Sequence, residues 1–352
     1  MKKISLPIGT LPMLTSAFKK QPLRGGVLVI QPLPGISEGL WHLRAYKALS
    51  RFSLDQKVTL LTRKKAQAHE LLAGQSWLHD VLWLDEEHHF GKLGGVVLGR
   101  DLKAFGFSTA WILHHSARYY IGASFAGIKS RYGYGFGWLQ DMLTTQHALR
   151  RQDRRLHSID RFEALFKKHG LPLLEDDAYM RPDPLLVADC EKAFANLPKP
   201  WIAIGFGATQ AARIWPPERF ADVGHRLIDH FGQGSLFLCG APHEKTQGEE
   251  LLRHLKDQGR AATFITDYPL GRIAALLSLC ELFVGNDSGL LNVAASLNVT
   301  SLGLFPGQGA HAPSPALFKN GAQNVYLKTP TLIQDITVDE VVERVQALGL
   351  TS

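Results

Sequence analysis

Apolar residues fall into short continuous runs separated by stretches with helical spacing, and the alternation occurs twice along the chain. In the first half, residues 27–30 (VLVI), 57–62 (KVTLLT), 81–84 (VLWL) and 107–113 (FSTAWIL) are runs of strand length. Runs that are continuous, with no polar alternation, suit strands covered on both faces, as in a parallel sheet flanked by helices. Residues 40–51 and 147–169 carry apolar positions at helical spacing instead. The second half restarts with strand-like runs at 201–204, 235–239, 262–265, 282–284 and 299–305, and with helical segments at 272–279, 290–297 and 338–348.

Between the halves lie Gly170-Leu171-Pro172 and Arg181-Pro182-Asp183-Pro184, proline-dense chain of the kind that joins domains. The pattern predicts an N-terminal extension over 1–24, a first α/β domain over 25–175, a linker over 176–198 and a second α/β domain over 199–335. Residues 336–352 are expected to form a closing helix that returns to the first domain.

Residues 279–307 (LCELFVGNDSGLLNVAASLNVTSLGLFPG) condense the design, since they read as strand, turn, helix and strand. In such a crossover the turn lies at the carboxyl edge of the sheet. There a glycine-rich loop and a helix N-terminus offer free N–H groups to an anion. Asp287 can cap that helix, Ser288 can donate to a phosphate and Gly289 permits close approach of a ligand to the backbone. Asp287 as a simple helix cap and the glycines as simple turn residues fit the spacing equally well.

A second strand-to-helix turn, Gln31-Pro32-Leu33-Pro34-Gly35-Ile36-Ser37-Glu38-Gly39, places a carboxylate at the edge of the first sheet. Glu38 is either a favourable first-turn acid or a general base.

Composition narrows the class. The chain has 352 residues, 45% hydrophobic and 20% charged, enough for two globular domains. Its three cysteines, Cys190, Cys239 and Cys280, stand far apart and give neither a disulfide framework nor a metal knuckle, so a reducing cytoplasm fits best. No apolar run is long enough to span a bilayer, and prolines interrupt any signal-peptide core. A net charge of +7 implies anionic partners. Because the cations are dispersed, phosphorylated small molecules or an anionic membrane surface fit better than nucleic acid. The pairs His88-His89 and His114-His115 lack the i, i+4 spacing of a helical zinc site, and no metal site is expected. Glycine spacing after residue 204 is not that of a nicotinamide-binding turn.

GNDSGLLNVAASLNVTSLGLFPG resembles the donor-sugar motif of glycosyltransferase family 9, the heptosyltransferases, with Asn292 where that family usually has His. Residues 205–220 (GFGATQAARIWPPERF) are similar to the family's Gly-Ala-Ser/Thr segment, Arg213 standing for its Lys. Residues 240–245 (GAPHEK) are close to its ribose-binding loop. The segment 126–134 (AGIKSRYGY) looks like another family strand, and Ser37-Glu38 occupies the place of a Gly-Asp.

The resemblance, over roughly 25–350, implies two Rossmann-like doubly wound domains facing a central cleft, the B-type glycosyltransferase fold. It implies an inverting, metal-independent transfer of heptose from ADP-heptose to a lipopolysaccharide core acceptor at the inner face of the inner membrane. No cofactor is implied beyond the ADP-sugar co-substrate. Glu38 would be the base. Thr209, Arg213, Glu244, Tyr268, Asp287, Ser288, Gly289, Leu290 and Asn292 would bind the donor, with Glu244 on the ribose and Tyr268 beside the adenine. Arg118, Lys129 and Arg131 would face an anionic glycolipid acceptor. A different nucleotide sugar, a protein acceptor or a binder without catalysis remain alternative readings.

Overall fold

The computed structural model describes residues 26–307, 324–329 and 331–350. The expected extension over 1–24 and most of the loop after Pro306 lie outside them. The chain divides into two units, Met1–Ala178 and Tyr179–Ser352.

In the first unit, strands β1 (Val27–Ile30), β2 (Val58–Thr62), β3 (Leu78–Trp83), β4 (Thr109–Ile112) and β5 (Ser130–Gly133) form a parallel sheet of order β3-β2-β1-β4-β5. β2 is buried at every position, as its continuous apolar pattern requires. The helices are α1 (Ile36–Trp41), α2 (Leu43–Arg51), α3 (Ala68–Leu71), α4 (Gly94–Lys103), α5 (Ala117–Phe125) and α6 (Ser158–Lys168). The helical pattern at 40–51 is broken at His42, and that at 147–169 is a 3-10 turn (Arg151–Arg155) followed by α6.

The unit closes beyond its last long helix. Arg51 grips Asp177 with two bonds, Nη1 to Oδ1 at 2.7 Å and Nη2 to Oδ2 at 2.8 Å. This bidentate geometry fixes the 3-10 turn Glu175–Ala178 against α2.

The second unit begins where a linker was expected. Pro184–Ala193 is a helix, α7, with Asp183 accepting from Leu185 N at 2.9 Å and proline in the first turn. Then follow β6 (Trp201–Gly205), α8 (Pro217–Phe231), β7 (Ser235–Cys239), α9 (Lys245–Asp257), β8 (Ala262–Ile265), α10 (Leu270–Leu277), β9 (Leu282–Asn286), α11 (Gly289–Ser296), β10 (Ser301–Phe305), β11 (Asn324–Lys328) and α12 (Val338–Gln346). The sheet is parallel with order β11-β10-β9-β6-β7-β8.

Strand order reverses between β6 and β9, the position where open parallel sheets leave a crevice at their carboxyl edge. β11, absent from the sequence reading, pairs with β10 at that sheet's end. The expectation for α12 is corrected: Val341, Val342 and Val345 enter the core of this unit together with Phe220 and Leu227 of α8. Among the described residues no helix is long and apolar enough to cross a membrane.

Candidate active site

Two loops leave the strands that flank the reversal. One follows β6 and runs through Thr209 and Arg213 to Trp215. The other follows β9 and carries Asp287 and Ser288 into α11. Their common anchor is Asn286, fully buried at the last position of β9. Its Nδ2 donates to Phe206 O at 2.6 Å, and its Oδ1 accepts from Trp215 N at 3.0 Å. One amide thus satisfies both ends of the eight residues between them. Trp215, also fully buried, donates from Nε1 to Ile336 O at 2.9 Å. In the sequence Asn286 reads as a turn residue. A donor-acceptor side chain at the end of a buried strand was the signal available.

With the loops fixed, Arg213 Nη1 lies 2.8 Å from Asp287 Oδ2. Asp287 is 8% exposed, and burial raises its pKa above the ordinary carboxylate value while Arg213 pulls it back down. The expected cap is therefore corrected: the carboxylate turns to Arg213. The N-cap position belongs to Ser288, whose extended backbone (φ −142°, ψ 174°) opens α11 without any side-chain cap bond. Ser288 Oγ is buried and makes no hydrogen bond. Uncapped first-turn N–H groups, an unused hydroxyl and a guanidinium with further N–H donors are groups of the kind that can bond an anion.

Gly289 and Leu290 form the half-buried first turn of α11. Asn292 sits one turn on, with its Nδ2 donating to Ser288 O at 2.8 Å, so its amide braces the helix start. Thr209 is exposed on the β6 loop.

Glu244 is 8% exposed in the loop after β7, and its Oε2 accepts from Ala241 N at 2.7 Å. The same carboxylate lies against the α-carbon of Gly207, where a side chain would collide with both oxygens. Gly207 is what lets the acid approach the β6 loop. Tyr268, half-buried before α10, has the Arg272 guanidinium 4.3 Å from its ring centroid.

In the first unit Glu38 occupies the first turn of α1, and its carboxylate folds back over Gly35, where any side chain would strike it. Its carbonyl is held by two side chains, His42 Nδ1 at 2.7 Å and Gln31 Nε2 at 3.3 Å. His42 Nε2 also lies 3.2 Å from Ser158 Oγ on α6. The ring takes over part of the helix's own hydrogen bonding, which explains the break between α1 and α2. Burial lowers the His42 pKa to about 4, so the ring is neutral at ordinary pH.

The three cations expected to face the acceptor are not brought together. Arg118, at the start of α5, donates to His89 O at 2.9 Å and lies 4.5 Å from the Phe90 ring centroid. Arg63, after β2, approaches the same ring at 4.4 Å. His114, after β4, is lowered to about 3 by burial and then by His115, Arg161, Arg63 and Arg118. A basic cluster therefore occupies the carboxyl edge of the first sheet.

Arg131 is corrected: its guanidinium is spent on the carbonyls of Met142 (2.8 Å) and Ile128 (2.6 Å). Lys129 is exposed just ahead of β5, at the amino edge, the opposite end of the sheet from that cluster. His89 is fully buried and bonded to Asp101 at 3.1 Å. His114 and His115 stack on each other at 4.4 Å. Among the described residues no group of three or more His, Cys, Asp or Glu could hold a metal.

Residues 99–325 match glycosyltransferase family 9 (heptosyltransferase). The chain belongs to glycosyltransferase family 9. Lipopolysaccharide heptosyltransferase 2 of Escherichia coli is 28% identical over 222 residues, covering 59% of this chain and 62% of that relative, so the match spans less than two thirds of its length. Among solved structures, E. coli ADP-heptose LPS heptosyltransferase II has a TM-score of 0.70 at 21% identity, covering 92% of this chain and 98% of the other. E. coli heptosyltransferase WaaC with ADP-2-deoxy-2-fluoro heptose has a TM-score of 0.66 at 14% identity, covering 91% and 99%. These likenesses, with the two parallel sheets, give the family 9 chain a B-type glycosyltransferase fold. The family match covers β6 to β10 entire, and with them every residue expected to bind the donor.

Proposed function

We propose that this chain is an inverting, metal-independent heptosyltransferase that uses ADP-heptose and an anionic lipopolysaccharide core acceptor. The observation that carries the reading is the anion site at the β6–β9 reversal, where Arg213, Ser288 and the uncapped start of α11 converge through the Asn286 anchor. A leaving nucleoside diphosphate develops negative charge as the glycosidic bond breaks, and fixed donors aimed at that charge lower the barrier. Arg213 and the α11 N–H groups supply them. Thr209 adds a hydroxyl from the exposed loop, and Asp287 accepts from sugar hydroxyls. Glu244 presents its second oxygen to the ribose diol, and Tyr268 flanks the adenine. Glu38 removes the proton of the acceptor alcohol as its oxygen bonds the anomeric carbon on the face opposite the departing diphosphate, whose bond to that carbon breaks, so the centre is inverted. The arginines Arg63, Arg118 and Arg161 around the neutral His114 favour an acceptor carrying phosphate or carboxylate groups.

The test is acceptor-dependent ADP release from ADP-heptose by the wild type and by Glu38→Gln. Transfer by the wild type, lost in Glu38→Gln with donor binding kept, supports the reading. Donor binding without acceptor-dependent release by the wild type would identify a non-catalytic nucleotide-sugar binder. A melting response to UDP- or GDP-sugars but to no ADP-sugar would reassign the donor.

A further inference from the structure

The outer face of the α4–α5 pair combines exposed apolar side chains with cations. α4 and α5 pack backbone to backbone: a β-carbon at Gly95 would lie 2.8 Å from Arg118 O, and one at Gly99 would lie 2.7 Å from Gly122 O. With Gly95, Leu98, Gly99 and Leu102 turned inward, the opposite arc of α4 carries Val96, Arg100 and Lys103 toward solvent, and Lys92 and the N-cap Leu93 are exposed just ahead of it. Leu93 is 71% exposed, and Phe125, which abuts Gly99 at the end of α5, is 54% exposed.

Charge on this part of the chain is one-sided. Residues 88–140 contain six cations, Lys92, Arg100, Lys103, Arg118, Lys129 and Arg131, and a single acid, Asp101. That acid is buried and bonded to His89. Arg100 lies 3.5 Å from Asp101 Oδ1 yet stays 47% exposed. Of the three acids just ahead of this stretch, Asp85 is buried, Glu86 is turned toward Arg63 at 3.9 Å, and Glu87 is exposed before the turn into α4. Exposed aliphatic and aromatic side chains flanked by cations, with no exposed acid between them, complement a surface of anionic headgroups over acyl chains.

The geometry points to the outer face of α4–α5 as a docking surface for an anionic lipid bilayer. Leu93, Val96 and Phe125 enter the acyl boundary, and Lys92, Arg100 and Lys103 pair with lipid phosphates. Docking of this kind brings an enzyme to an acceptor anchored in the bilayer. The inference concerns binding alone, and its test contains no sugar nucleotide, so its outcome is separate from that of the proposed transfer.

The full chain is sedimented with phosphatidylcholine vesicles and with vesicles containing phosphatidylglycerol, at low and high salt. Binding to the anionic vesicles that weakens with salt is expected. Lys92→Gln/Arg100→Gln/Lys103→Gln lowers the partition coefficient about a hundredfold, each cation near an anionic surface counting about fivefold. Leu93→Ser/Phe125→Ser lowers it about tenfold on the same vesicles. A control with the same charge loss, Arg253→Gln/Lys256→Gln/Arg344→Gln, at exposed positions of the second unit, leaves binding within about twofold.

Equal loss in the control would assign binding to net charge and overturn the proposal. Salt-insensitive binding, or binding unchanged in both α4–α5 variants, overturns it too. So does a concentration-dependent dimer in sedimentation velocity that Phe125→Ser dissolves, since a second copy would then be the occupant.

Discussion

Arg213→Gln is the perturbation that most directly probes the site. It removes the cation 2.8 Å from Asp287 and leaves a carboxylate with about a tenth of its side chain exposed. At about 4 Å between charges and an effective dielectric near 20, the lost attraction is about 4 kcal/mol. Partial exposure of Arg213, at 24% of its side chain, trims that figure, while stranding a buried charge costs about 3–5 kcal/mol in comparable pairs. An upper bound comes from protonation. Starting from the ordinary carboxylate value of 3.8, neutralising the carboxyl at pH 7.5 costs about 5 kcal/mol, and the fold never loses more than that. A loss of about 2–3 kcal/mol is expected, which lowers the melting temperature of a unit this size by about 5–10 °C.

The pH dependence has a definite sign. The folded pKa of Asp287 already lies above its unfolded value, so its contribution is fully present below the unfolded pKa and fades as pH rises through the folded one. Removing Arg213 raises the folded value further, so the deficit of Arg213→Gln shrinks as pH falls from 8 toward 5. Asp287→Asn in the same chain restores most of the loss. The assay is thermal unfolding followed by tryptophan fluorescence across that pH range, for both single variants and the double variant. Additive effects of the two substitutions, or a deficit independent of pH, would refute the reasoning.

Other expectations follow from the same geometry. Asn286→Ala strands Phe206 O and Trp215 N in a buried setting and costs about 3 kcal/mol, measured by urea unfolding, and it raises KM for the donor. Gly207→Ala drives a methyl into the Glu244 carboxylate, and calorimetric titration with ADP should show binding lost from a folded protein. His42, lowered from 6.5 to about 4 by burial, contributes stability that is present above its unfolded pKa and lost as pH falls through the folded one, about 3 kcal/mol in all. Urea midpoints between pH 7 and 4 should therefore fall less steeply in His42→Asn.

The strands were legible because a strand covered on both faces has no reason to alternate, and 27–30, 201–204 and 235–239 all appear as β1, β6 and β7. Helix limits were less so. The interruption at His42 arises when a ring bonds the carbonyl four residues back, a contact that apolar periodicity does not register. β11 was missed because its apolar run, Val325-Tyr326-Leu327, is only three residues long between polar flanks. The site residues were read as chemical types, and the structure supplies the partners that type alone omits. Arg131 looked like a free cation but is consumed by two carbonyls. Asp287 looked like a cap but answers Arg213. Asn286 looked like punctuation and proves to be the anchor between loops.

The carboxylate of Glu38 rests where Gly35 has no side chain, while its carbonyl is pinned by His42 and Gln31. Backbone and acid are thus uncoupled: the main chain is clamped, and only the arm's own torsions decide how far the oxygens extend. A lone methyl at residue 35 would evict the acid from its resting place without touching either clamp. Gly35→Ala is therefore a way to redirect the acid's aim while its chemical identity stays the same.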